Sequence, residues 1–387
     1  MTIVASDAWG TLPDDVDSGV VRVGDLRGAR SLRRLLGRGE LPREGDQGIE
    51  TPPPPALLTK VFVPEMYVVT WLPALAVAVR RLLRSSTFDC LVTSSPPESA
   101  HLVGLLLGRR RPAWIADFRD GWLYEPWRDS LPTRLQRALD ARLERLVVSS
   151  AEVAVAATEP IARDLTDRLG AQATWVPNGW DPDSVVGDGA ELVRRGDAHV
   201  VLVYTGGLAG PRGRDPNPLF LALQQSRADG LRLRLVHAGH VTVEERALIA
   251  RAGATDLVQH TGMLDRQQAL ALQRSADALV LLTSRSASEA TGKLFEYLAA
   301  GRPIIALAEA NEAARIVRET RTGIAVPPDN VDAIVAAIRQ AASGELARAY
   351  APRGLEQFTY PGPAKKMAEL VEEAIALRGS RKSRVSR

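Results

Sequence analysis

The stretch EATGKLFEYLAAGRPIIALAE (289–309) predicts a helix and a strand in direct succession. Thr291 is a suitable N-cap, because its hydroxyl can accept a hydrogen bond from a free backbone N–H group. Gly301 is a typical C-terminal stop, and Pro303 cannot continue the helix. A helix of about ten residues, followed by a buried parallel strand, is therefore expected.

Two charged residues of this helix suggest a ligand. Lys293 falls in the first turn, where the helix dipole disfavours a cation. A bound anion would reverse that sign, because exposed N–H groups, the dipole and an ammonium together form a phosphate site. Glu296 lies three residues further on the same face, where its carboxylate could accept hydrogen bonds from two ribose hydroxyls. The alternative is an exposed Lys–Glu pair, and the surrounding sequence has to decide between the two.

Outward from this stretch, short apolar strands alternate with amphipathic helices over residues 199–343. The predicted strands are HVVLVYT, LRLRLVHAG, DLVQHTG, ALVLLT, PIIALA and GIAVPP. This alternation predicts a doubly wound parallel sheet of the α/β class. Ligands of such sheets bind beyond the carboxyl ends of the strands. The polar residues that follow each strand are therefore the candidates for a site.

The first half of the chain shows the same alternation less cleanly. Strands are predicted at TIVAS, DCLVTSS, AWIADF, EVAVAAT and ATWVPNG, and helices at 67–84, 99–110, 131–149 and 160–170; residues 24–62 are predicted to be loop. We expect a first Rossmann-like domain at 1–185 and a second at 198–345, facing each other across a cleft. Residues 346–379 would return to the first domain as a helix, and the basic end at 380–387 would be disordered.

Composition restricts the class of protein. The 387 residues are 45% hydrophobic and 25% charged, with a net charge of only +3, which is typical of a globular protein and argues against a nucleic-acid partner. A single cysteine, Cys90, excludes an internal disulfide and favours a reducing compartment. The sequence has no apolar run long enough to span a bilayer and no signal-peptide pattern. We therefore expect a cytoplasmic protein.

Several motifs resemble those of bacterial glycosyltransferases of the GT-B fold, of the retaining family-4 type. GKLFEYLAAGRPI is similar to the family's donor-site motif, and VPNGWD resembles the segment at which its first domain ends. FDCLVTSSPPESAH and ADFRDGW look like first-domain segments of one bacterial branch. The resemblance covers nearly the whole chain. It implies two Rossmann-like domains facing a cleft and the transfer of a sugar from a nucleotide-sugar donor.

The resemblance also implies roles for residues of the second domain. Glu296 would bind the ribose hydroxyls, and Lys293 would approach the diphosphate. The loop after Gly206 and Gly207 normally carries a basic residue for the same diphosphate, which Arg212 or Arg214 could supply, because a guanidinium offers bidentate donors to phosphate. Glu289 would recognise the donor sugar. Since cations stabilise the leaving diphosphate, no metal and no cofactor are expected.

In the first domain the candidate catalytic residues are Arg119, Asp120 and His101. Arg119 occupies the position where the family often has a histidine, and His101 begins the preceding helix. Each has a structural alternative, because Arg119 could pair with Asp117 or Asp120 and His101 could only cap its helix. Asn178 and Gly179 would lie between the domains, and Asp181–Asp183 is read as a coincidental match to a metal motif.

The sequence departs from the family pattern in three places, and in one of them the usual Gly-rich segment before the donor-site helix is reduced to EATGK. The family has two glutamates separated by seven residues, but counting back from Glu296 reaches Ser288, whereas Glu289 is one residue closer. In addition, TIVASD looks like the second strand of the fold, so we expect the first strand of the N-terminal domain to be missing. A truncated or non-catalytic nucleotide-sugar-binding protein, or a partner subunit, is therefore the alternative to an active enzyme.

The expected partners follow from the leading interpretation. They are a nucleotide-sugar donor and an acceptor that is a sugar, a lipid-linked molecule or a small metabolite. The basic segment LRGARSLRRLLGRGELPR (26–43) contains leucines and could contact the inner face of the membrane, although a solvated loop is the alternative.

Overall fold

The computed structural model describes residues 1–7, 19–25, 61–126, 131–184, 190–193, 196–209 and 214–385. Its strands are β1 (Ile3–Ser6), β2 (Val20–Val23), β3 (Cys90–Ser95), β4 (Ala113–Phe118), β5 (Val153–Ala156), β6 (Ala173–Trp175), β7 (Val200–Thr205), β8 (Leu233–Ala238), β9 (Val258–Gly262), β10 (Ala278–Leu282), β11 (Ile304–Leu307) and β12 (Gly323–Val326).

The helices surround these strands. They are α1 (Tyr67–Thr70), α2 (Leu72–Ser85), α3 (Leu102–Leu107), α4 (Arg134–Ser150), α5 (Glu159–Leu169), α6 (Asn217–Ala228), α7 (Val243–Arg251), α8 (Arg266–Arg274), α9 (Gly292–Ala300), α10 (Glu312–Glu319), α11 (Val331–Ala342), α12 (Glu345–Ala349) and α13 (Gly362–Val385).

Two larger parallel sheets confirm the α/β prediction. The first has the order β3-β4-β5-β6, and the second has the order β12-β11-β10-β7-β8-β9. The central strands β4, β5, β7 and β10 are buried along their whole length, because helices cover both faces of each sheet. The strand order of the second sheet reverses between β7 and β10. Ligands of such sheets bind beyond the carboxyl ends of the strands at this point.

A third sheet consists of β1 and β2 alone. Among the described strands, β1 pairs only with β2, and β3 pairs only with β4. β1 and β3 therefore each have one edge without a partner among the described strands. This agrees with the expectation that the first strand of the N-terminal domain is missing. Val92 of β3 is 45% exposed at this edge. The sequence did not predict β2, since four residues, of which three are valines and one is Arg22, are too short a run to identify a strand.

The chain crosses between the domains twice, at adjacent segments. The backbone N–H of Trp180 donates to the carbonyl of Phe358 at 2.9 Å, and that of Tyr360 donates to Trp180 at 2.9 Å. A Cβ atom on Gly179 would lie 2.5 Å from the Phe358 oxygen, so a glycine is needed where the segments touch. Helix α13 then packs Leu370 and Ala374 onto the first sheet.

Helix α13 also corrects one expectation. The helix was predicted to end at residue 379 and to be followed by a disordered tail at 380–387, but it continues to Val385. Gly379 does not stop it, and an exposed glycine inside a helix costs only about 1 kcal/mol relative to alanine.

The packing of Gly104 generates a prediction for the first domain. Gly104 lies in α3 against the fully buried Trp114, and an added Cβ would come within 2.3 Å of the indole ring. Gly104→Ala should therefore lower the free energy of unfolding by about 1–3 kcal/mol. Gly379→Ala is the matched control, because its Cβ would meet no atom within 4 Å. It should stabilise α13 slightly in the same denaturant titration. Equal stability of the two variants would contradict this packing.

Candidate functional site

The candidate site begins where β7 meets the first turn of α9. Gly206 follows β7 with φ +97°, and an added Cβ would lie 2.5 Å from the Nζ atom of Lys293. A Cβ on Gly239, which follows β8, would lie 2.7 Å from the Gly206 carbonyl oxygen. Two glycines are thus required for the backbone to come this close to Lys293.

Lys293 is held over the aromatic ring of Tyr204. Its Nζ atom donates to the Tyr204 hydroxyl at 3.0 Å and lies 4.8 Å from the ring centroid. The Tyr204 hydroxyl in turn donates to the Gly207 carbonyl at 2.5 Å. Burial, together with the positive charge of Arg214, lowers the pKa of Lys293 to about 8, although Glu296 and Glu289 oppose this shift. An anion in contact with the ammonium would restore its charge.

Arg214 is close enough to Lys293 for its charge to disfavour the lysine ammonium. Its Nε atom is buried without a hydrogen-bond partner among the described residues. Two like charges beside one glycine turn repel each other unless an anion lies between them. The structure thus brings Arg214 to the predicted diphosphate position, whereas Arg212 lies outside the described residues.

The first turn of α9 differs in detail from the prediction. Thr291 is the N-cap residue, as predicted, but its hydroxyl makes no capping hydrogen bond and has no partner in the described part of the chain. The N–H groups of this turn therefore receive no bond from the Thr291 side chain. The Leu294 N–H donates to the Thr291 carbonyl at 3.0 Å, whereas the N–H groups of Gly292 and Lys293 have no backbone acceptor among the described residues. These two groups could bind an external anion, as at other helix N-termini.

Glu296 is oriented by a residue that the sequence did not indicate. Gln273 of α8 donates from Nε2 to Glu296 Oε2 at 3.2 Å and to Thr205 Oγ1 at 3.1 Å. The hydroxyl of Tyr297 accepts from the backbone N–H of Thr205 at 3.0 Å. Glu296 is half-buried and faces the same end of the sheet as Lys293. Gln273 lies 23 positions before Glu296, so no local spacing identifies it.

Two histidines, His237 and His260, stabilise the turn at Gly206. His237 Nε2 lies 2.8 Å from the Gly206 carbonyl oxygen and must carry the proton, because a carbonyl only accepts. The other ring nitrogen, Nδ1, then accepts from Nδ1 of His260 at 3.1 Å. Burial lowers the pKa of both histidines, which favours these neutral forms. The pair holds the Gly206 peptide in place.

The loop between β10 and α9 is buried and polar. Ser284 donates to Glu289 Oε2, and Glu289 Oε1 is buried without a partner among the described residues. Ser286 and Ser288 instead donate to Glu125 of the first domain, at 2.9 Å and 2.5 Å. Glu125 is another residue that the sequence did not indicate, since it lies more than 160 positions from these serines. The predicted role of Glu289 in sugar recognition stays a prediction.

Arg119 contacts the segment at which the first domain ends. Its guanidinium donates to Asp117 Oδ1 at 3.3 Å, to the Val176 carbonyl at 3.2 Å and to Asn178 Oδ1. This is the structural alternative, in which Arg119 pairs with Asp117. Asn178 and Gly179 both lie at the crossing between the domains. Asp120 is half-buried in the following loop, and catalytic roles for Arg119 and Asp120 stay predictions.

His101 does not lie in the cleft. Its side chain is 0% exposed and packs 4.6 Å from the Phe118 ring and 6.3 Å from the Trp122 ring. Nδ1 lies 2.8 Å from Thr93 Oγ1, and burial lowers the pKa of the imidazole to about 3. His101 is therefore a neutral core residue, and the sequence-based candidate is wrong because tertiary packing covers it. We do not include it in the proposed site.

An open cavity of about 460 Å³ lies between the domains. The first domain contributes Tyr124 and Arg163, and the second contributes Ala287, Asn311 and Arg315 to its lining. Neither Lys293 nor Glu296 lines it. The cavity thus adjoins the polar loop at Ala287 without including the diphosphate position.

Two family models match the chain. The model described as "Glycosyl transferases group 1" matches residues 199–343, and the "Glycosyl transferase 4-like domain" model matches residues 34–179. Together they span both sheets that flank the cleft. No curated protein matches the chain.

Solved structures with the same fold include a synthase and a protein in complex with UDP. Sucrose-phosphate synthase from Thermosynechococcus elongatus shows a TM-score of 0.59 and 22% identity, over 79% of this chain and 78% of that chain. Anabaena HepE in complex with UDP shows a TM-score of 0.56 and 15% identity, over 81% of this chain and 82% of that chain. At these identities the likeness establishes the fold alone.

The lowered pKa of Lys293 predicts a pH dependence of anion binding. Below about pH 8 the side chain is charged in the free protein, and above this pH it loses its proton. The affinity for a diphosphate ligand such as ADP should therefore fall between about pH 7.5 and about pH 9.5 in wild type. Binding of the diphosphate near the pKa should also be accompanied by proton uptake, measurable by calorimetry in buffers of different ionisation enthalpy. Lys293→Met should bind the same ligand more weakly but with little pH dependence. The same pH profile in both proteins would contradict the assignment of this titration to Lys293.

Proposed function

The chain belongs to the glycosyltransferases and has the GT-B fold, and from this premise we propose that Lys293, Arg214 and Glu296 bind its nucleotide-sugar donor. One observation carries the proposal. Lys293 lies against Gly206 in the first turn of α9, Arg214 is close enough to act on its charge, and neither has an ion-pair partner among the described residues. A diphosphate satisfies both charges and the free N–H groups of the helix. Glu296, one helical turn further on, would then accept hydrogen bonds from the ribose hydroxyls.

The two cations also suggest how the reaction proceeds. Breaking the bond between sugar and phosphate adds negative charge to the leaving diphosphate, and preorganised cations lower that barrier. We propose a metal-independent transfer with retention of configuration at the sugar. We assign no role to Asp181 and Asp183, which lie in an exposed turn where Asp181 Oδ1 accepts from the Asp183 backbone N–H at 3.0 Å.

The acceptor would enter the cavity between the domains. Tyr124 offers an aromatic face there, and Asn311 and the charged side chains offer hydrogen-bonding groups. This combination suits a hydroxyl-rich acceptor. The acceptor is proposed to be a sugar, a lipid-linked molecule or a small metabolite, in the synthesis of a glycan, a polysaccharide or a glycosylated metabolite. The alternative is a non-catalytic nucleotide-sugar-binding protein, and it is favoured by the edges of β1 and β3 that have no partner among the described strands. Donor hydrolysis in the absence of an acceptor discriminates between the two.

Substitution of the two α9 residues tests the donor site. Glu296→Ala removes hydrogen bonds made in ground and transition states alike. It should weaken donor binding by about 1.5–3 kcal/mol, or about ten- to a hundredfold. Lys293→Ala removes a cation that faces increasing charge, so it should lower kcat as well. Titrations with UDP, GDP and ADP, followed by hydrolysis kinetics, measure both effects.

Arg251→Ser is the control for these titrations, because Arg251 is exposed in α7 and should not change binding. If neither α9 variant loses affinity for any nucleoside diphosphate that wild type binds, Lys293 and Glu296 form only a surface pair and the donor site is wrong.

A peripheral membrane contact is a further part of the proposal. The predicted segment 26–43 lies outside the described residues, but an arginine patch is present in the first domain. It comprises the exposed Arg80, Arg81, Arg84, Arg109 and Arg110. Arg80 donates to the Leu106 carbonyl at 3.0 Å, which joins the end of α2 to the end of α3. Leu106 is 49% exposed beside it. Arginines mixed with exposed apolar side chains suit the surface of an anionic bilayer.

Vesicle co-sedimentation tests this contact. None of the five arginines forms an ion pair with a carboxylate in the described part of the chain, and no described helix is long and apolar enough to cross a bilayer. Wild type should bind vesicles that contain phosphatidylglycerol, and binding should weaken with salt. Replacement of Arg81, Arg84, Arg109 and Arg110 by serine should reduce binding by about tenfold or more. The control Arg251→Ser/Arg266→Ser removes exposed arginines of the second domain and should bind as wild type does. Equal loss in the two variants would exclude a specific patch.

A further inference from the structure

We propose that Glu125 of the first domain is a positioning residue for sugar transfer, which aligns the donor loop with the acceptor side of the cleft. Here the donor loop means residues 283–291, between β10 and α9. The proposal rests on the proposed function of the donor site, and it adds a residue from the opposite domain that touches neither the diphosphate nor the ribose.

The Glu125 carboxylate is buried across the domain boundary. The residue is 5% exposed, and Ser286 and Ser288 are 3% and 6% exposed. Ser288 Oγ donates to Oε1 at 2.5 Å, and Ser286 Oγ donates to Oε2 at 2.9 Å. A carboxylate is costly to bury unless hydrogen bonds replace its water shell. Here the second domain provides one hydroxyl to each oxygen, so separation of the domains would break both bonds at once.

The loop that carries Glu125 is itself fixed to the first domain. Gly121 donates its backbone N–H to Glu125 Oε1 at 3.2 Å, and a Cβ there would lie 2.8 Å from that of Tyr124. Trp122 is fully buried and donates from Nε1 to Asp140 at 2.8 Å. The backbone N–H of Leu123 donates to Glu144 at 3.2 Å. These bonds to α4 fix the loop, so Glu125 extends from a rigid support.

The donor loop is fixed from the other side by the start of α10. The backbone N–H of Glu312 donates to the Ala287 carbonyl at 2.9 Å, and that of Ala313 donates to Glu289 at 2.9 Å. These are bonds within the second domain. Within the donor loop, the side chains of Ser286 and Ser288 are therefore the groups that bind the first domain, through Glu125. Glu289, which follows directly, has a buried oxygen with no hydrogen-bond partner in the described part of the chain and lies close enough to Lys293 to affect its pKa.

Alignment between the domains affects chemistry more than donor binding. The diphosphate contacts, Lys293, Arg214 and the start of α9, all belong to the second domain. An acceptor in the cavity instead has the first-domain residues Tyr124 and Arg163 beside it. A misplacement of about 1 Å between reacting groups can cost about a hundredfold in rate. Loss of Glu125 should therefore lower kcat and leave nucleoside diphosphate affinity nearly unchanged.

Glu125→Gln and Ser286→Ala/Ser288→Ala are the test variants. Glutamine keeps the size of the side chain, but it removes the negative charge that strengthens both serine hydrogen bonds, and its NH₂ group cannot accept a hydrogen bond. Each variant should lower kcat for hydrolysis of the nucleotide sugar that wild type uses, chosen from UDP-, GDP- and ADP-glucose, by about ten- to a hundredfold. The Kd for the matching nucleoside diphosphate should stay within about twofold of wild type, because its contacts remain. The triple variant should be no worse than either parent, since all three side chains serve one interaction.

Small-angle X-ray scattering tests the contact between the domains independently of enzyme activity. Both variants should show a larger radius of gyration than wild type, because the contact between the loops is lost. Glu373→Gln, an exposed change on α13, is the control and should match wild type in scattering and in kcat.

The outcomes separate this proposal from the donor site. Wild-type kcat in Glu125→Gln, or unchanged scattering in both variants, would overturn the positioning role while the donor site stands. Loss of nucleoside diphosphate binding together with kcat would also overturn it, because Glu125 would then support the fold of the donor site itself. Failure of wild type to bind any nucleoside diphosphate would instead overturn the donor-site assignment.

Discussion

The close approach of Lys293 to the backbone at Gly206 is the constraint on which the candidate site depends. A side chain at Gly206 would collide with the ammonium of Lys293 in its present position. A side chain at Gly239 would likewise collide with the Gly206 carbonyl. Tyr204 and His237 then hold the two ends of this turn, through the Gly207 and Gly206 carbonyls. A partly buried ammonium beside Arg214 is unfavourable in the free protein. The fold keeps it there, which is the usual condition of a preorganised anion site.

The sequence predicts those features of the site that depend on local spacing. The interval from Lys293 to Glu296 and the stop at Gly301 lie within one helix, so periodicity and capping chemistry are enough to identify them. Gln273 and Glu125 orient site residues from other helices and from the other domain, and no pattern in the chain connects them to their partners. His101 shows the opposite failure. A polar residue at the start of a helix resembles a cleft residue until Phe118 and Trp122 are known to cover it.

Contacts across the cleft make the two domains dependent on each other. Helix α5 of the first domain begins without a side-chain cap from Thr158, and Glu312 of the second domain accepts the free backbone N–H of Glu159 at 3.3 Å. Arg315 completes the contact, since it pairs with Glu312 at 2.7 Å and lies 5.0 Å from the Trp175 ring. A helix end left open in one domain is thus satisfied by a carboxylate from the other. Glu125 repeats this arrangement in the reverse direction, with a first-domain carboxylate and second-domain donors.

The distribution of charge explains why an anion would choose one side of the cleft. In the cavity, Arg315 is surrounded by Glu159, Glu312 and Glu319, and Arg163 pairs with Glu159 as well. These guanidiniums are already neutralised, so a diphosphate would have to displace carboxylates to reach them. Lys293 and Arg214 form no ion pair among the described residues, and their mutual repulsion adds to the attraction for an anion. Arg318 also lines the cavity, where it donates to two backbone carbonyls rather than to a carboxylate. The charge distribution around Arg163 and Arg315 nevertheless supports the proposal that the donor's diphosphate binds beside α9 and that the cavity receives a hydroxyl-rich acceptor.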